Sequence, residues 1–288
     1  MRLACADDSF RLLRPHRAAL ELVAALGVDG VDLFLAGNRS IVRPEDVRDD
    51  LAGAAAQISR DLQDVGLTVS DLFVIPWTDL ETMAPNNPDR EQRGASRALF
   101  TDMLELATRV GAPGMTTLPG IHWPGESYED SFGRACEELG WRADRARREG
   151  LLFSVEPHVG SVVPTPERVL QLVERTPGVQ ITLDYSHFVC QDIAEEGADI
   201  LIPFARHVHV RGATPARVQA SVRDSSIDFE RMLRALEAGG YDGYLTLEYV
   251  WLQWEGCHEC DNLAETILLR DRLLAALAGR EWVYPGVG

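Results

Sequence analysis

The chain has 288 residues, 45% hydrophobic and 25% charged, and its 45 acidic and 28 basic residues leave a formal charge of -17. That composition describes a globular protein with enough chain to bury a core, not a disordered or low-complexity one, and the charge argues against nucleic acid or an anionic membrane surface as a partner. All 28 basic residues are arginine, so Schiff-base lysines, pyridoxal-phosphate anchoring and Walker-type phosphate loops are excluded. The five cysteines, Cys5, Cys136, Cys190, Cys257 and Cys260, are few and odd in number, against a disulfide framework. No apolar run approaches the ~18 residues of a membrane span, and Met1-Arg2-Leu3-Ala4 does not open a signal peptide. The expected setting is cytoplasmic.

In chain order, β-like runs alternate with helix-like segments. Arg2–Ala6 reads as a strand and His16–Leu26 as a helix; Gly30–Leu35 is followed by one long helix over Pro44–Val65, whose Leu51, Ala55, Ile58 and Leu62 share a face. Leu67–Ile75 precedes a helix over Arg90–Val110, and Gly114–Leu118 precedes one over Tyr128–Arg148. In the second half, Leu151–Glu156, Val179–Asp184, His207–Val210 and Gly243–Tyr249 are short apolar runs suited to buried parallel strands. Helices are expected after them over Pro166–Arg175, Ile193–Ile202, Asp228–Ala238 and Asn262–Leu277. Eight units in 288 residues make 36 per unit, the size of a single-domain (β/α)8 TIM barrel over residues 1–288. A doubly wound sheet would place a glycine-rich turn after its first strand, and Ala4–Phe10 contains no glycine.

In a barrel, the C-terminal ends of the strands face the active site. Here the fifth strand reads Val-Glu156-Pro-His158, the sixth Leu-Asp184-Tyr-Ser-His187, the seventh His207-Val-His209-Val-Arg211 and the eighth Leu-Glu248-Tyr. Intervals of 28, 25 and 39 residues between Glu156, Asp184, His209 and Glu248 are each about one βα unit, which brings the four groups together at the mouth. Three carboxylates in one buried place raise one another's pKa unless a cation offsets them. Three carboxylates and an imidazole suit Mn2+ or Mg2+, with Co2+ as a further candidate, better than a thiolate zinc site. The alternative is that each acid separately caps the following helix or pairs with arginine.

These motifs, with Ile227-Asp-Phe229 and Gly240-Tyr-Asp-Gly243, resemble in order and spacing the xylose-isomerase-like sugar phosphate isomerase/epimerase superfamily. The resemblance covers most of the chain and is strongest from Phe153 to Glu265. It implies that Glu156, Asp184, His209 and Glu248 hold the metal, that Glu156 and Glu248 double as acid and base, and that His187 binds a substrate oxygen. Arg211 stands where many members have Lys-Asp. The superfamily's ketose 3-epimerases carry a substrate-binding arginine closer to the seventh-strand histidine than Arg217 is. Arg217, His158 and Trp251 complete the substrate-binding candidates, Trp251 because sugar C–H faces stack on aromatic rings. His207, two residues before His209, is expected deeper in the barrel as a structural neighbour. Cys257-His-Glu-Cys260 has no second cysteine pair and is read as structural.

The expected function is that of a divalent-metal-dependent isomerase or epimerase, acting on a small sugar or polyol by proton abstraction beside a carbonyl and a metal-stabilised enediolate. The same site would serve a dehydratase or lyase of the inosose or 3-dehydroshikimate type, or C-glycoside cleavage. An endonuclease IV-like enzyme would want further histidines and carboxylates on the early strands, and a non-catalytic binding barrel would have no use for the ligand set. The motifs leave homo-oligomerisation open.

Overall fold

The eight apolar runs form parallel strands whose register closes on itself. The computed structural model describes residues 1–285. Its strands are β1 (Arg2–Ala6), β2 (Gly30–Ala36), β3 (Thr68–Ile75), β4 (Gly114–Thr117), β5 (Leu152–Val155), β6 (Gln180–Asp184), β7 (Ala205–Val210), β8 (Gly212–Thr214), β9 (Arg217–Ala220) and β10 (Tyr244–Leu247). Eight of these make a closed barrel in the order β1-β10-β7-β6-β5-β4-β3-β2, and β8 and β9 form a separate two-stranded sheet. Residue β1 Leu3 pairs with Leu245 of β10, and Ala4 with Gly30 of β2, which shuts the ring.

The covering helices are α1 (His16–Ala25), α2 (Pro44–Asp49), α3 (Leu51–Val65), α4 (Arg90–Val110), α5 (Tyr128–Arg148), α6 (Pro166–Arg175), α7 (Ser186–Val189), α8 (Glu195–Ala198), α9 (Phe229–Ala238) and α10 (Asn262–Leu277). The single helix expected over Pro44–Val65 is two, because Asp50 leaves the helical region (φ -150°, ψ 74°) and its carboxylate accepts Gly53 N–H at 3.0 Å. A side chain that competes for backbone donors favours a cap over a helix interior. The helix expected over Ile193–Ile202 is the short α8 followed by a 3-10 segment, Asp199–Phe204, that contains Pro203. Gly197 weakens the first turns, and Pro203 has no N–H to continue them. The β8–β9 hairpin escaped sequence reasoning because three- and four-residue strands carry too little alternation to see.

Inside the barrel the lower layer is polar, not the usual branched aliphatic packing. Asp32, Ser70, Asp71, Thr116, Thr182 and His207 are all buried there. Arg206 pairs with Asp71 Oδ1 at 2.9 Å and donates to Ser154 Oγ at 2.7 Å and Thr116 Oγ1 at 3.0 Å. Two bulges make this layer. Register shifts leave Ser70 in β3 and Arg206 in β7 without partners across the ladder, so consecutive residues, Ser70-Asp71 and Arg206-His207, both join the interior network. A bulge breaks the two-residue alternation and re-aims side chains.

Candidate metal and active site

The four predicted ligands come from neighbouring staves. Glu156 directly follows β5, Asp184 ends β6, His209 lies in β7 opposite both Asp184 and Thr246, and Glu248 directly follows β10. All four are buried. They meet as two overlapping trios that share Glu156: Glu156, His209 and Glu248 bring ligand atoms within 4.8 Å of one another, as do Glu156, Asp184 and His187.

His209 is the pivot. Its Nδ1 lies 2.7 Å from Glu156 Oε1 and 3.4 Å from Glu248 Oε2, and its Nε2 lies 3.0 Å from Asp32 Oδ2. Asp32 also contacts His207 Nε2 at 2.7 Å and accepts from Thr246 Oγ1 at 3.1 Å and from Ser70 Oγ. Burial opposes charge on His209, but Glu248, Asp32 and Glu156 outweigh it and hold the imidazole well above its usual range. Burial likewise opposes ionisation of Asp32, yet His207 and His209 hold its carboxyl far below the carboxylate range. Burial and then Glu248 push Glu156 up to about 7. At Glu248 the effect of burial is overcome by His209 and Arg211, and the group sits below its ordinary value.

Arg211 is the guanidinium of the site. It donates to Ser186 Oγ at 2.9 Å, Asp184 Oδ2 at 2.8 Å and His187 Nε2 at 3.0 Å, and its Nη1 stands 3.5 Å from Glu248 Oε2. His187, at the start of α7, is buried with Nε2 3.7 Å from Asp184 Oδ2 and 4.0 Å from Glu156 Oε2. Burial and the Arg211 charge keep its imidazole well below the usual range. His158 is buried too; Nδ1 contacts Val159 O at 2.7 Å, Nε2 has no partner among the described residues, and burial lowers it to about 4.

A cavity of about 220 Å3 opens over these groups, with Glu156, His158, His187, Arg211, Glu248 and Arg39 on its polar side. Phe34, Phe73 and Trp254 give it an apolar wall. Two sequence candidates lie elsewhere. Arg217, in β9, pairs with Glu259 on the exposed surface and does not line the cavity, because the hairpin carries it outward. Trp251 is 42% exposed and its carbonyl is held by Arg11; Trp254 takes the wall position. His207 lies below His209, on Asp32 and Thr246. Cys257 is buried beneath the hairpin, where Gln219 Nε2 donates to its carbonyl at 2.6 Å. No group of potential metal ligands among the described residues includes a cysteine.

Asp32 and Arg39 were missed. Asp32 had a signal, a lone acid in the apolar run Gly-Val-Asp-Leu-Phe, and Arg39 had none, since it sits in a turn among other arginines. The ligand set fits a divalent cation on two observations. With Asp32 taking Nε2–H, the Nδ1 lone pair of His209 would face two carboxylate oxygens, an arrangement that needs a proton or a cation between them. Glu248 Oε2 is also buried without a hydrogen-bond partner. A carboxylate behind a histidine is the usual support for a metal-ligating imidazole.

A family model described as a xylose isomerase-like TIM barrel matches residues 20–272. The chain belongs to this family. The IOLI protein, solved with a bound zinc atom, superposes with a TM-score of 0.75 at 16% identity over 98% of this chain and 100% of that one; at that identity the likeness speaks for the fold. An inosose dehydratase of Clostridium perfringens is 24% identical over 143 residues, 42% of this chain and 48% of the relative. A 2-epi-5-epi-valiolone 7-phosphate 2-epimerase of an Actinoplanes species is 26% identical over 178 residues, 61% of this chain and 59% of the relative. The chain thus spans about half to three-fifths of the length of these curated relatives. Among the described residues no helix is long and apolar enough to cross a membrane.

Proposed function

We propose that the protein is a divalent-metal-dependent isomerase or epimerase that moves a proton at a carbon beside the carbonyl of a small keto sugar or keto polyol. The observation that carries this is the His209 pivot: an imidazole backed by Asp32, its other nitrogen aimed at Glu156 and Glu248 at the floor of a small cavity. Glu156, Asp184, His209 and Glu248 would hold the cation, with Mn2+ the first candidate for this mostly oxygen set and Mg2+ or Co2+ behind it. Bound there, the cation would serve as a Lewis acid toward the negative charge that develops on the substrate carbonyl oxygen.

The chain's own groups supply the rest. Glu156 and Glu248 reach the cavity from β5 and β10, with β6 and β7 between them in the ring. A carboxylate on one side can therefore take a proton and its counterpart on the other side return one, which inverts a carbon if both act there. Arg211 Nη1 presents its N–H groups at the cavity floor, suited to orient a substrate oxygen, and Phe34, Phe73 and Trp254 limit water at the opposite wall. His158 offers a buried nitrogen with no protein partner. The -17 charge of the chain supports a small-molecule substrate over a nucleic acid, and the first two strands bring no metal-binding cluster to the mouth: Asp32 groups with His207 and His209 below it.

The partial match to inosose dehydratase favours a second outcome of the same abstraction, loss of water from the adjacent carbon. Incubation with Mn2+ in deuterium oxide over a panel of ketoses, inososes and 3-keto sugars separates the two. Deuterium is expected beside the carbonyl of at least one substrate. Label in recovered substrate reports the abstraction common to both, a labelled epimer or isomer identifies isomerase chemistry, and an unsaturated product identifies the dehydratase. Absence of label and product across the panel, with metal bound, contradicts both.

A further inference from the structure

One guanidinium at the cavity has a single ion-pair partner, Asp8, and makes no hydrogen bond to it. Arg39 follows β2 in a tightly held turn: Arg39 N and Ser40 N both donate to Ala36 O at 3.1 Å, Ser40 Oγ accepts Ala36 N–H at 2.9 Å, and Ser40 Oγ donates to Asp8 Oδ1 at 3.1 Å. Gly37 lies so near the next loop that a Cβ would stand 2.1 Å from Pro76 O, so only glycine fits. The side chain is therefore placed, not loose. Its Cζ is 5.1 Å from the centroid of Phe34, its Nη2 is 3.4 Å from the fully buried Asp8 Oδ2, and it is only 16% exposed.

Among the described residues, no acceptor takes a hydrogen bond from this guanidinium, and Nε is wholly buried without a partner. Arg211, by contrast, spends Nε and Nη2 on Ser186, Asp184 and His187. Arg11, which donates to Trp251 O, stands within electrostatic reach of Asp8 and Arg39. A chain of charge -17 thus sets Arg39 at its cavity, with Arg11 and one buried aspartate beside it.

We propose that Arg39 anchors an anionic group of the substrate, a carboxylate or a phosphate ester, so that the substrate is an acidic keto sugar or keto polyol. This names the substrate class of the reaction proposed above and rests on that reading. Oxyanion oxygens match a guanidinium fork in both charge and acceptor count, whereas a neutral hydroxyl leaves most of its N–H groups without an acceptor. The overall field of the protein repels an anion, and Arg39, with Arg11 beside it, offsets that field at the cavity. Held by a remote anion, the substrate would have its carbonyl end fixed over Glu156 and Glu248.

Calorimetric titration of the Mn2+-loaded protein with D-glucuronate, D-glucose 6-phosphate and myo-inositol tests this without turnover. At least one acidic probe should bind about ten- to a hundredfold more tightly than myo-inositol, and whichever does so tells carboxylate from phosphate. Arg39→Leu should abolish that preference, Arg39→Lys should keep part of it, and Arg60→Gln, on the outer face of α3, should leave it unchanged. Equal affinity for myo-inositol, no binding of either acidic probe at millimolar concentration, or a folded Arg39→Leu variant with the preference intact overturns the proposal. Should Arg39→Leu fail to fold, the wild-type comparison and Arg39→Lys decide. An intact preference without deuterium exchange would remove the reaction reading alone; exchange as fast on neutral ketoses as on their acidic counterparts would remove this inference alone.

Discussion

Glutamine at position 156 or 248 is expected to reduce deuterium exchange by about 10²–10⁴-fold, the range a positioned acid or base contributes. The amide keeps the shape of the carboxylate and loses its ability to accept a proton, so each variant should still fold. Both residues are buried within one trio with His209, and Glu156 and Glu248 raise the cost of each other's charge. Glu156→Gln relieves that repulsion and should melt near the wild type when metal-free, whereas Glu248→Gln removes a charge held by His209 and Arg211 and should melt lower. Cys257→Ser, at a buried position outside the cavity lining, should exchange at close to the wild-type rate. Exchange at wild-type rate in either glutamine variant would remove that residue from the acid–base pair.

The second large effect concerns Asp32. Its carboxylate contacts two histidines and two hydroxyls in the barrel interior. Asp32→Ala leaves His207 and His209 without their shared partner, and loss of one member of a buried charged set costs about 3–5 kcal/mol. It also frees His209 to turn or change tautomer, with an expected ten- to hundredfold loss of metal affinity. Asp32→Asn should recover much of the stability and less of the affinity, since it can hydrogen-bond but carries no charge. Chemical denaturation and metal titration on both variants check this; a wild-type midpoint together with wild-type affinity in Asp32→Ala would show that Asp32 supports neither the fold nor the ligand.

Much of this site was legible because its groups obey the spacing of the fold. Glu156, Asp184 and Glu248 each close an apolar run, and His209 sits within one, at intervals of about one βα unit, so the topology alone brings them together. What stayed hidden follows from local backbone irregularity. The bulges that bring Ser70 and Arg206 into the interior break the alternation on which strand reading depends. Asp32 was visible as a lone acid in a strand, but its partner His209 is 177 residues away, a pairing that only barrel closure creates. Arg217 stands as a substrate-binding candidate in the sequence although it lies farther from His209 than the family's arginine, and the unforeseen hairpin turns it to solvent; Arg211, two residues after His209, is the guanidinium at the site instead. The long helix over Pro44–Val65 failed for a similar reason, since Asp50 can cap a new helix as readily as continue the old one.

In the proposed site one cation is shared by residues from four adjacent staves. Anomalous diffraction at the manganese edge, on crystals grown with Mn2+, tests it directly. A single peak per chain is expected in contact with Glu156, Asp184, His209 Nδ1 and Glu248, with His209 Nε2 still on Asp32. A map without that peak, in which Arg211 keeps Asp184 and a proton stays on His209 Nδ1 between Glu156 and Glu248, would contradict it.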